Sequence, residues 1–509
     1  MTRGEGVPPA REPAARILAT GLLLPLAAGA ACVFGFAPFY AWPVPIAGLA
    51  ALFFVWTRCT SAVQAALSGF AFGLGYFLTG VSWVYVSMHD FGAMPAILAA
   101  LATFLFCAYL AVFPAAAGAL LLRFFAAPKA RLVAAPALFV LLEWVRGWLF
   151  TGFPWLTIGT SQVPASPLAG YAPYVGAYGT SLAVAAAAAF LAALVASRAW
   201  SHARMGIAAG VAALLFVGMG ARLPAWTEPA GPPVSMALLQ GNIPQELKWR
   251  EDVRTKTLLA YRQMILDARG KVVVLPETAL PAFLDQLPPD YLESLRAHAR
   301  ESGKEILLGT VEREFRAGGD YRYYNSVVRL TGGEAASFRK RHLVPFGEFI
   351  PTGFHWVLAI LHIPLSDFDR GAGKQAPIVA AGIPFGIAIC YEDIFGEEVI
   401  DLLPDAQVLV NVSNDAWFGK SFAAAQHLQA SQMRALETGR WMVRSTNTGA
   451  TAAIDTHGQV VKQLEPFTAG ILSADVVPMR GMTPYARIGN YGALSLIVLV
   501  LAIAFLRRR

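Results

Sequence analysis

Phe385-Gly386-Ile387-Ala388-Ile389-Cys390-Tyr391-Glu392-Asp393 is an apolar run that stops abruptly on a thiol and two carboxylates. A continuous apolar run, as opposed to an alternating one, suits a strand buried on both faces, and such strands sit in sheets covered by helices. Further candidate strands lie at 235–239, 272–275, 306–308, 326–330, 408–412 and 442–445, with helical stretches at 254–268, 291–301 and 423–437 between some of them. The pattern predicts an α/β domain.

Outside this region the composition changes. The chain has 509 residues, 56% of them hydrophobic and 14% charged, and apolar windows of the ~20 residues that span a bilayer crowd its first part. Seven candidate spans precede the α/β domain, at 17–34, 40–56, 65–86, 94–122, 132–144, 175–196 and 205–220, and one follows at 488–506. Basic residues mark alternate connections: Arg3, Arg11 and Arg16, then Arg58, then Arg123, Lys129 and Arg131, then Arg198 and Arg204, and finally Arg507, Arg508 and Arg509. By the positive-inside rule both termini are then cytoplasmic and the α/β domain lies on the opposite side. The N-terminal run has no small-residue cleavage site and reads as an anchor. The expected organisation is a seven-helix membrane domain at 1–222, a linker at 223–234, the α/β domain at 235–480, and a C-terminal membrane helix and tail at 481–509. The net charge of +7 sits largely beside the apolar spans, where it sets orientation, and argues against nucleic acid as a partner.

Of the four cysteines, Cys32, Cys59 and Cys107 fall in or beside apolar spans, so Cys390 has no disulfide partner in its own domain. A free cysteine is ordinarily a small buried hydrophobe; this one stands between a strand and a carboxylate pair, where a turn can aim main-chain N–H groups at an oxyanion. Val272-Val273-Val274-Leu275-Pro276-Glu277-Thr278 repeats the design with a carboxylate, placed as a general base requires, although such a glutamate also serves as a surface residue or helix cap. In Phe338-Arg339-Lys340-Arg341-His342-Leu343-Val344-Pro345-Phe346-Gly347-Glu348 a basic run passes into an apolar turn and a second carboxylate. Lys340 suits oxyanion stabilisation, and His342 reads as a hydrogen-bonded structural histidine. No metal is expected: the domain has no second cysteine, and His342, His355, His362, His427 and His457 lack ligand spacing. A Gly-x-Ser-x-Gly elbow and a glycine-rich phosphate loop are also missing. In the membrane region Glu143 and Arg146 lie three apart on one helix face, either as a local ion pair or facing a substrate. The aromatic stretch 147–155 that follows has the composition of a re-entrant or interfacial segment.

Five strings, Gln240-Gly241-Asn242-Ile243-Pro244-Gln245, Leu275-Pro276-Glu277-Thr278, Lys340 through Glu348, Cys390-Tyr391-Glu392 and Ser413-Asn414-Asp415-Ala416-Trp417-Phe418-Gly419, closely resemble those of the apolipoprotein N-acyltransferases. The resemblance implies a nitrilase-like αββα sandwich and a catalytic triad of Glu277, Lys340 and Cys390, supported by Glu348, Tyr391 and Glu392. It implies an inner-membrane enzyme of a Gram-negative bacterium, without cofactor and with its catalytic domain in the periplasm; nothing in the sequence suggests an obligate partner, and a monomer is expected. The implied reaction moves an acyl chain from a phospholipid, through a thioester on Cys390, to the α-amine of a diacylated apolipoprotein. Trp148, Trp249, Trp417, Phe346 and Phe418 are expected along the acyl path or in a lid, or else in the core. Arg444 and Asn447 are expected to hold the site together or to contact a headgroup. Two other functions compete: a membrane-anchored amidase hydrolysing a small C–N substrate, and a non-catalytic membrane scaffold.

Overall fold

The computed structural model describes residues 19–197, 202–316, 319–331, 336–351, 353 and 367–507. Arg3, Arg11, Arg16, Arg198, Arg508, Arg509, His355, His362 and the start of the first expected span lie outside the described residues.

A helix occupies each of the eight apolar windows: α1 (Leu24–Cys32), α2 (Pro43–Arg58), α3 (Ala62–Gly80), α4 (Ala96–Phe124), α5 (Pro128–Arg146), α6 (Ala172–Ala196), α7 (His202–Gly220) and, after the α/β domain, a final helix Tyr491–Leu506. Among the described residues, three segments, Ala62–Gly80, Ala96–Phe124 and Pro167–Ala196, are long and apolar enough to cross a membrane. Proline opens α2 and α5, where the missing N–H has no helical partner anyway. The Ser61 side chain caps α3 by accepting the Gln64 N–H at 3.2 Å. Small residues set the helix contacts: a Cβ on Gly75 would lie 2.0 Å from the Leu26 carbonyl oxygen, and one on Gly69 2.3 Å from that of Pro114.

Among the described residues, the α/β region forms two six-stranded sheets. The first holds β1 (Val234–Gln240), β2 (Val272–Val274), β3 (Glu305–Phe315), β4 (Tyr321–Arg329), β5 (Ala336–Arg339) and β12 (Gly470–Val476), in the order β12-β1-β2-β3-β4-β5. The second holds β6 (Ile378–Ala380), β7 (Ile383–Ile389), β8 (Val408–Ser413), β9 (Met442–Thr446), β10 (Ala452–Ile454) and β11 (Val460–Gln463), in the order β11-β10-β9-β8-β7-β6. The central strands β1-β2-β3 and β7-β8-β9 pair in parallel, and antiparallel strands close the edges. Met236, Leu238, Val272, Val274 and Val327 of one sheet pack on Ile387, Ile389, Val408, Val410 and Met442 of the other. The opposite face of the first sheet is covered by α8 (Glu251–Asp267) and α9 (Pro289–Ser302) through Leu258, Ile265 and Leu295. The result is the αββα sandwich.

The second sheet is covered by α10 (Ala423–Thr438), and this helix is buried on all sides. Its outer face carries glutamines three residues apart that bolt it to the membrane helices. Gln426 accepts the indole N–H groups of Trp83 (3.2 Å) and Trp155 (2.8 Å), Gln429 accepts the Ala37 N–H (2.9 Å) and donates to the Val163 carbonyl (2.9 Å), and Gln432 accepts the Tyr40 hydroxyl (3.3 Å). Gln429, and Gln426 through the Gly80 carbonyl at 3.1 Å, fill main-chain valences left open where a helix or loop of the membrane region ends.

Five strands escape the sequence pattern: β5, β6, β10, β11 and β12. Four of them are the edge strands of the two sheets and β10 lies next to an edge, all in short or alternating form; β11, for instance, reads Val-Val-Lys-Gln. The strand expected at 306–308 continues to Phe315 because its polar half pairs antiparallel with β4 and has one wet face. The stretch 223–234 is not bare linker either, since Thr227–Pro229 pairs with Met479–Gly481.

Candidate active site

Glu277, Lys340 and Cys390 come off the ends of β2, β5 and β7, and ligands of α/β sheets gather at the carboxyl ends of parallel strands. Cys390 has φ of +55°, a left-handed conformation unusual for a residue with a side chain. The turn is held from three directions. Asn411 Nδ2 donates to the carbonyls of Ala388 (3.2 Å) and Cys390 (2.7 Å), and the Tyr391 hydroxyl donates to the Leu343 carbonyl (3.1 Å). The buried Glu392 carboxyl accepts the main-chain N–H groups of Ile389 (2.7 Å), Arg341 (2.6 Å) and His342 (3.0 Å). Burial pushes its pKa up to about 7 against the pull of those donors. Glu392 thus stitches the nucleophile turn to the segment following Lys340. Glu392→Gln puts an amide NH2 where donors converge, so acyl-enzyme formation is expected to fall about tenfold or more, with a loss of about 1–3 kcal/mol in unfolding free energy; single-turnover rates and thermal melts on the same sample read both.

Facing the thiol is a tight charge cluster. Lys340 Nζ lies 2.9 Å from Glu348 Oε1 and 3.4 Å from Glu277 Oε1. Asn325, on β4, donates through Nδ2 to the same two oxygens at 2.8 and 2.7 Å, and its carbonyl accepts the Lys340 N–H at 2.8 Å. The second Glu348 oxygen accepts the Val344 N–H at 2.9 Å. Burial pulls the Lys340 pKa down, but the carboxylates of Glu348 and Glu277 push harder, and the net result is a cation held well above the ordinary lysine value. Lys248 is buried on the other side of Glu277, with Nζ 2.7 Å from Thr278 Oγ1, and burial lowers it to about 8. The Cys390 thiol is pushed well above its ordinary pKa by burial and by the Glu277 charge, with Lys340 opposing. It rests as a thiol and needs a base to become a nucleophile.

Ser413 Oγ lies 3.7 Å from Cys390 Sγ and donates to Asp415 Oδ1 at 2.9 Å, which leaves its lone pairs toward the thiol. Asp415 belongs to a fully buried network. His427 Nδ1 lies 2.9 Å from Asp415 Oδ1 and its Nε2 2.7 Å from Asp393 Oδ1; Arg444 reaches Asp393 Oδ2 at 2.9 Å and Asp415 Oδ2 at 3.4 Å. Burial and Arg444 pull the His427 pKa down, yet the two aspartates raise it to about 9. Two cations therefore balance two anions directly behind the nucleophile turn. Arg444 is sealed in this network, and that corrects the headgroup reading: a guanidinium with no exposure meets no lipid. Asn447 joins Ile243 to Asn414 through hydrogen bonds of 2.8 to 3.1 Å and is likewise an internal tie.

The aromatic residues divide. Phe418 packs 4.6 Å from the Trp83 ring and 6.3 Å from that of Trp155. The Trp417 carbonyl accepts the Ser87 hydroxyl at 2.8 Å, and its ring lies 6.3 Å from Phe91. This loop therefore rests on the membrane helices. Trp249 and Phe346 are 40% and 36% exposed, which a core role does not explain. Trp148, 51% exposed, stands apart from the triad on the wall of a separate cavity. Glu143 and Arg146 turn out to pin a loop: Glu143 accepts the Ile158 N–H at 2.7 Å while Arg146 donates to the carbonyls of Phe153 and Trp155 at 2.5 and 2.7 Å. Asn325, Ser413, Asp393 and His427 were not singled out as site residues. The sequence carries a signal for two of them, Asp393 through its place beside the thiol and Ser413 through the Ser413–Asp415 string.

An αββα sandwich that gathers a glutamate, a lysine and a cysteine at its strand ends is the architecture of a carbon-nitrogen hydrolase domain, and the family described as Carbon-nitrogen hydrolase matches residues 235–484. The family described as Apolipoprotein N-acyltransferase N-terminal domain matches residues 28–190. Proteins named apolipoprotein N-acyltransferase from Nitrosomonas europaea and Methylococcus capsulatus are 49% and 45% identical over 483 and 504 residues, covering 94% and 96% of this chain and 96% of each relative. One of the same name from Chromobacterium violaceum is 43% identical over 495 residues, covering 96% of this chain and 94% of its own. The chain belongs to the apolipoprotein N-acyltransferase family and is a membrane-bound enzyme.

Proposed function

We propose that the chain acylates the N-terminal amine of diacylglyceryl-cysteine apolipoproteins, taking the acyl group from a phospholipid through a thioester on Cys390. The observation that carries this reading is the buried Lys340 cation gripped between Glu277 and Glu348, set electrostatically against a thiol in a left-handed turn. Glu277 takes the Cys390 proton as sulfur attacks the ester carbonyl. A C–S bond forms, and Lys340 and the Tyr391 N–H hold the oxyanion. Collapse breaks the C–O bond, and Glu277 returns the proton to the departing lysophospholipid oxygen. In the second half the free amine gives a proton to Glu277 and attacks the thioester; a C–N bond forms, the C–S bond breaks, and the thiol is restored. Both substrates use one site in turn, so the kinetics are ping-pong.

The membrane reading goes with it: residues 1–222 form the seven-helix membrane domain, 223–234 the connection, 235–480 the periplasmic catalytic domain and 481–509 the returning helix and tail, in a monomer of the bacterial inner membrane with both termini cytoplasmic. Neither the amidase nor the scaffold reading gains an observation. The test is intact-protein mass spectrometry of the full-length enzyme with phospholipid and no acceptor. A hydroxylamine-labile gain of one acyl chain is expected in wild type and not in Cys390→Ala. Release of lysophospholipid without any mass gain would rule out the covalent route.

A further inference from the structure

The two carboxylates and two cations buried behind the nucleophile turn are costly to take out of water, and the acyl-transfer steps use none of them. Their route to Cys390 is a single hydroxyl. In the parallel β7–β8 ladder Ile389 pairs with Val412, so the residues that follow, Cys390 and Ser413, leave the sheet side by side. Asp415 is ionised: burial raises its pKa, but His427 and Arg444 outweigh burial and the net shift is downward. An ionised carboxylate only accepts. The one proton of the fully buried Ser413 hydroxyl is therefore committed to Asp415 Oδ1 at 2.9 Å, an oxygen that His427 Nδ1 also holds at 2.9 Å. What Ser413 Oγ offers the Cys390 sulfur, 3.7 Å away, is a lone pair. Among the described residues it is the sulfur's only hydrogen-bond partner, whereas Glu277 Oε1 is engaged by Asn325 and Lys340.

An S–H bond aimed at a fixed lone pair is stabilised, and a thiolate in the same place is repelled by that lone pair and by the Asp415 charge behind it. We propose that Ser413 is a positioning residue that parks the Cys390 proton, so that between turnovers the nucleophile is a closed thiol engaged by Ser413 instead of by its base. The proton stays on sulfur in this state, and none leaves Ser413 or Asp415. Glu277 receives it only once the S–H bond turns from Ser413 to the carboxylate. The buried ion network then has a use, because it keeps Asp415 ionised and the hydroxyl of Ser413 facing one way. Burial, then the charges of Glu277, Asp415 and Glu348, favour the thiol, and Lys340 opposes them. A thiol held closed is spared the electrophiles and oxidants that attack a thiolate. The inference concerns the enzyme with no lipid bound and goes beyond the thioester chemistry, which can fail without it.

The test is infrared difference spectroscopy on the full-length protein in maltoside micelles without lipid, with the Cys390→Ala spectrum subtracted to isolate the Cys390 S–H stretch. In wild type the band should lie below that of a thiol with no acceptor, and in Ser413→Ala it should move up. The same two proteins are then treated with iodoacetamide near neutral pH, where the thiolate displaces iodide and the peptide carrying Cys390 gains the added mass. Ser413→Ala should react about two- to tenfold faster, the worth of one neutral hydrogen bond. A wild-type band at the frequency of an unbonded thiol overturns the proposal, whether or not the alanine variant folds. So does faster alkylation with an unmoved S–H band, the mark of looser packing around the sulfur. Equal or slower alkylation overturns it as well, since it would make the hydroxyl a donor to the thiolate. Acyl mass gain from phospholipid reads the acyl-transfer proposal separately: a wild type with the lowered S–H band that never takes up an acyl chain keeps this inference and loses that one.

Discussion

Glu277→Gln is expected to slow acyl-enzyme formation by about 10²–10⁴-fold, the usual worth of a positioned general base, and to make the residual rate climb with pH. The isosteric amide keeps an oxygen for Asn325, and Lys340 keeps Glu348 at 2.9 Å, so the cluster persists with the base removed. Cys390 is then the determinant. Its thiol sits well above the ordinary value because of burial first and the Glu277 charge second. Removing that charge takes away one upward push while Lys340 continues to pull down, so the variant's thiol has the lower pKa of the two. Its rate should rise about tenfold per pH unit below that pKa, where thiolate abundance is limiting. Wild type, whose base travels with the nucleophile, should be flat over the same range. Quenched-flow mass spectrometry from pH 6 to 9 tests this; parallel profiles for the two proteins would remove Glu277 from the role of base.

His427→Leu should cost about 3–5 kcal/mol, the consequence of breaking a buried ion pair from one side. Without the imidazolium, Arg444 is left as the cation facing both Asp393 and Asp415, at 2.9 and 3.4 Å, with the Ser431 and Ser413 hydroxyls beside it. The pH dependence follows from the shifts. His427 is raised in the folded state from 6.5 to about 9, so its contribution is complete below about 6.5 and is lost as pH rises through about 9. Asp393 and Asp415 are lowered from 3.8: burial raises them, but His427 and Arg444 outweigh it. Their contribution is present above 3.8 and is lost as pH falls through their folded-state values. Thermal unfolding of wild type should therefore show a plateau between about pH 4 and 6.5 and a decline from there to about pH 9, and that decline should vanish in His427→Leu. An identical alkaline limb in both proteins would assign the decline elsewhere.

The central strands were legible because burial on both faces removes alternation: Val272-Val273-Val274 and Ile387-Ala388-Ile389 admit little else. The edges were not, since β11 and β12 are half wet and their pairing depends on partners far along the chain. Glu277, Lys340 and Cys390 could be named because each ends or follows an apolar run. Asn325 lies inside a strand, Tyr-Tyr-Asn-Ser-Val-Val, and only folding shows that its amide bridges two carboxylates. His427 was weighed as a metal ligand and set aside on spacing. Its partners, 34 and 12 residues away, are carboxylates instead of other histidines.

Helix α10 presents Gln426, Gln429 and Gln432 to the membrane helices and His427 to the nucleophile turn. A protein engineer hoping to harvest a water-soluble enzyme by trimming the chain near residue 223 would strip one side of that helix bare. Three amide oxygens would lose their donors, and the apolar surface around Tyr391, Ile394 and Phe395, which shares a core with the membrane helices, would face water beside the reactive sulfur. The bilayer half is thus less a tether than a missing quarter of the mould, and a fragment without it is expected to emerge as an aggregate rather than a hydrolase.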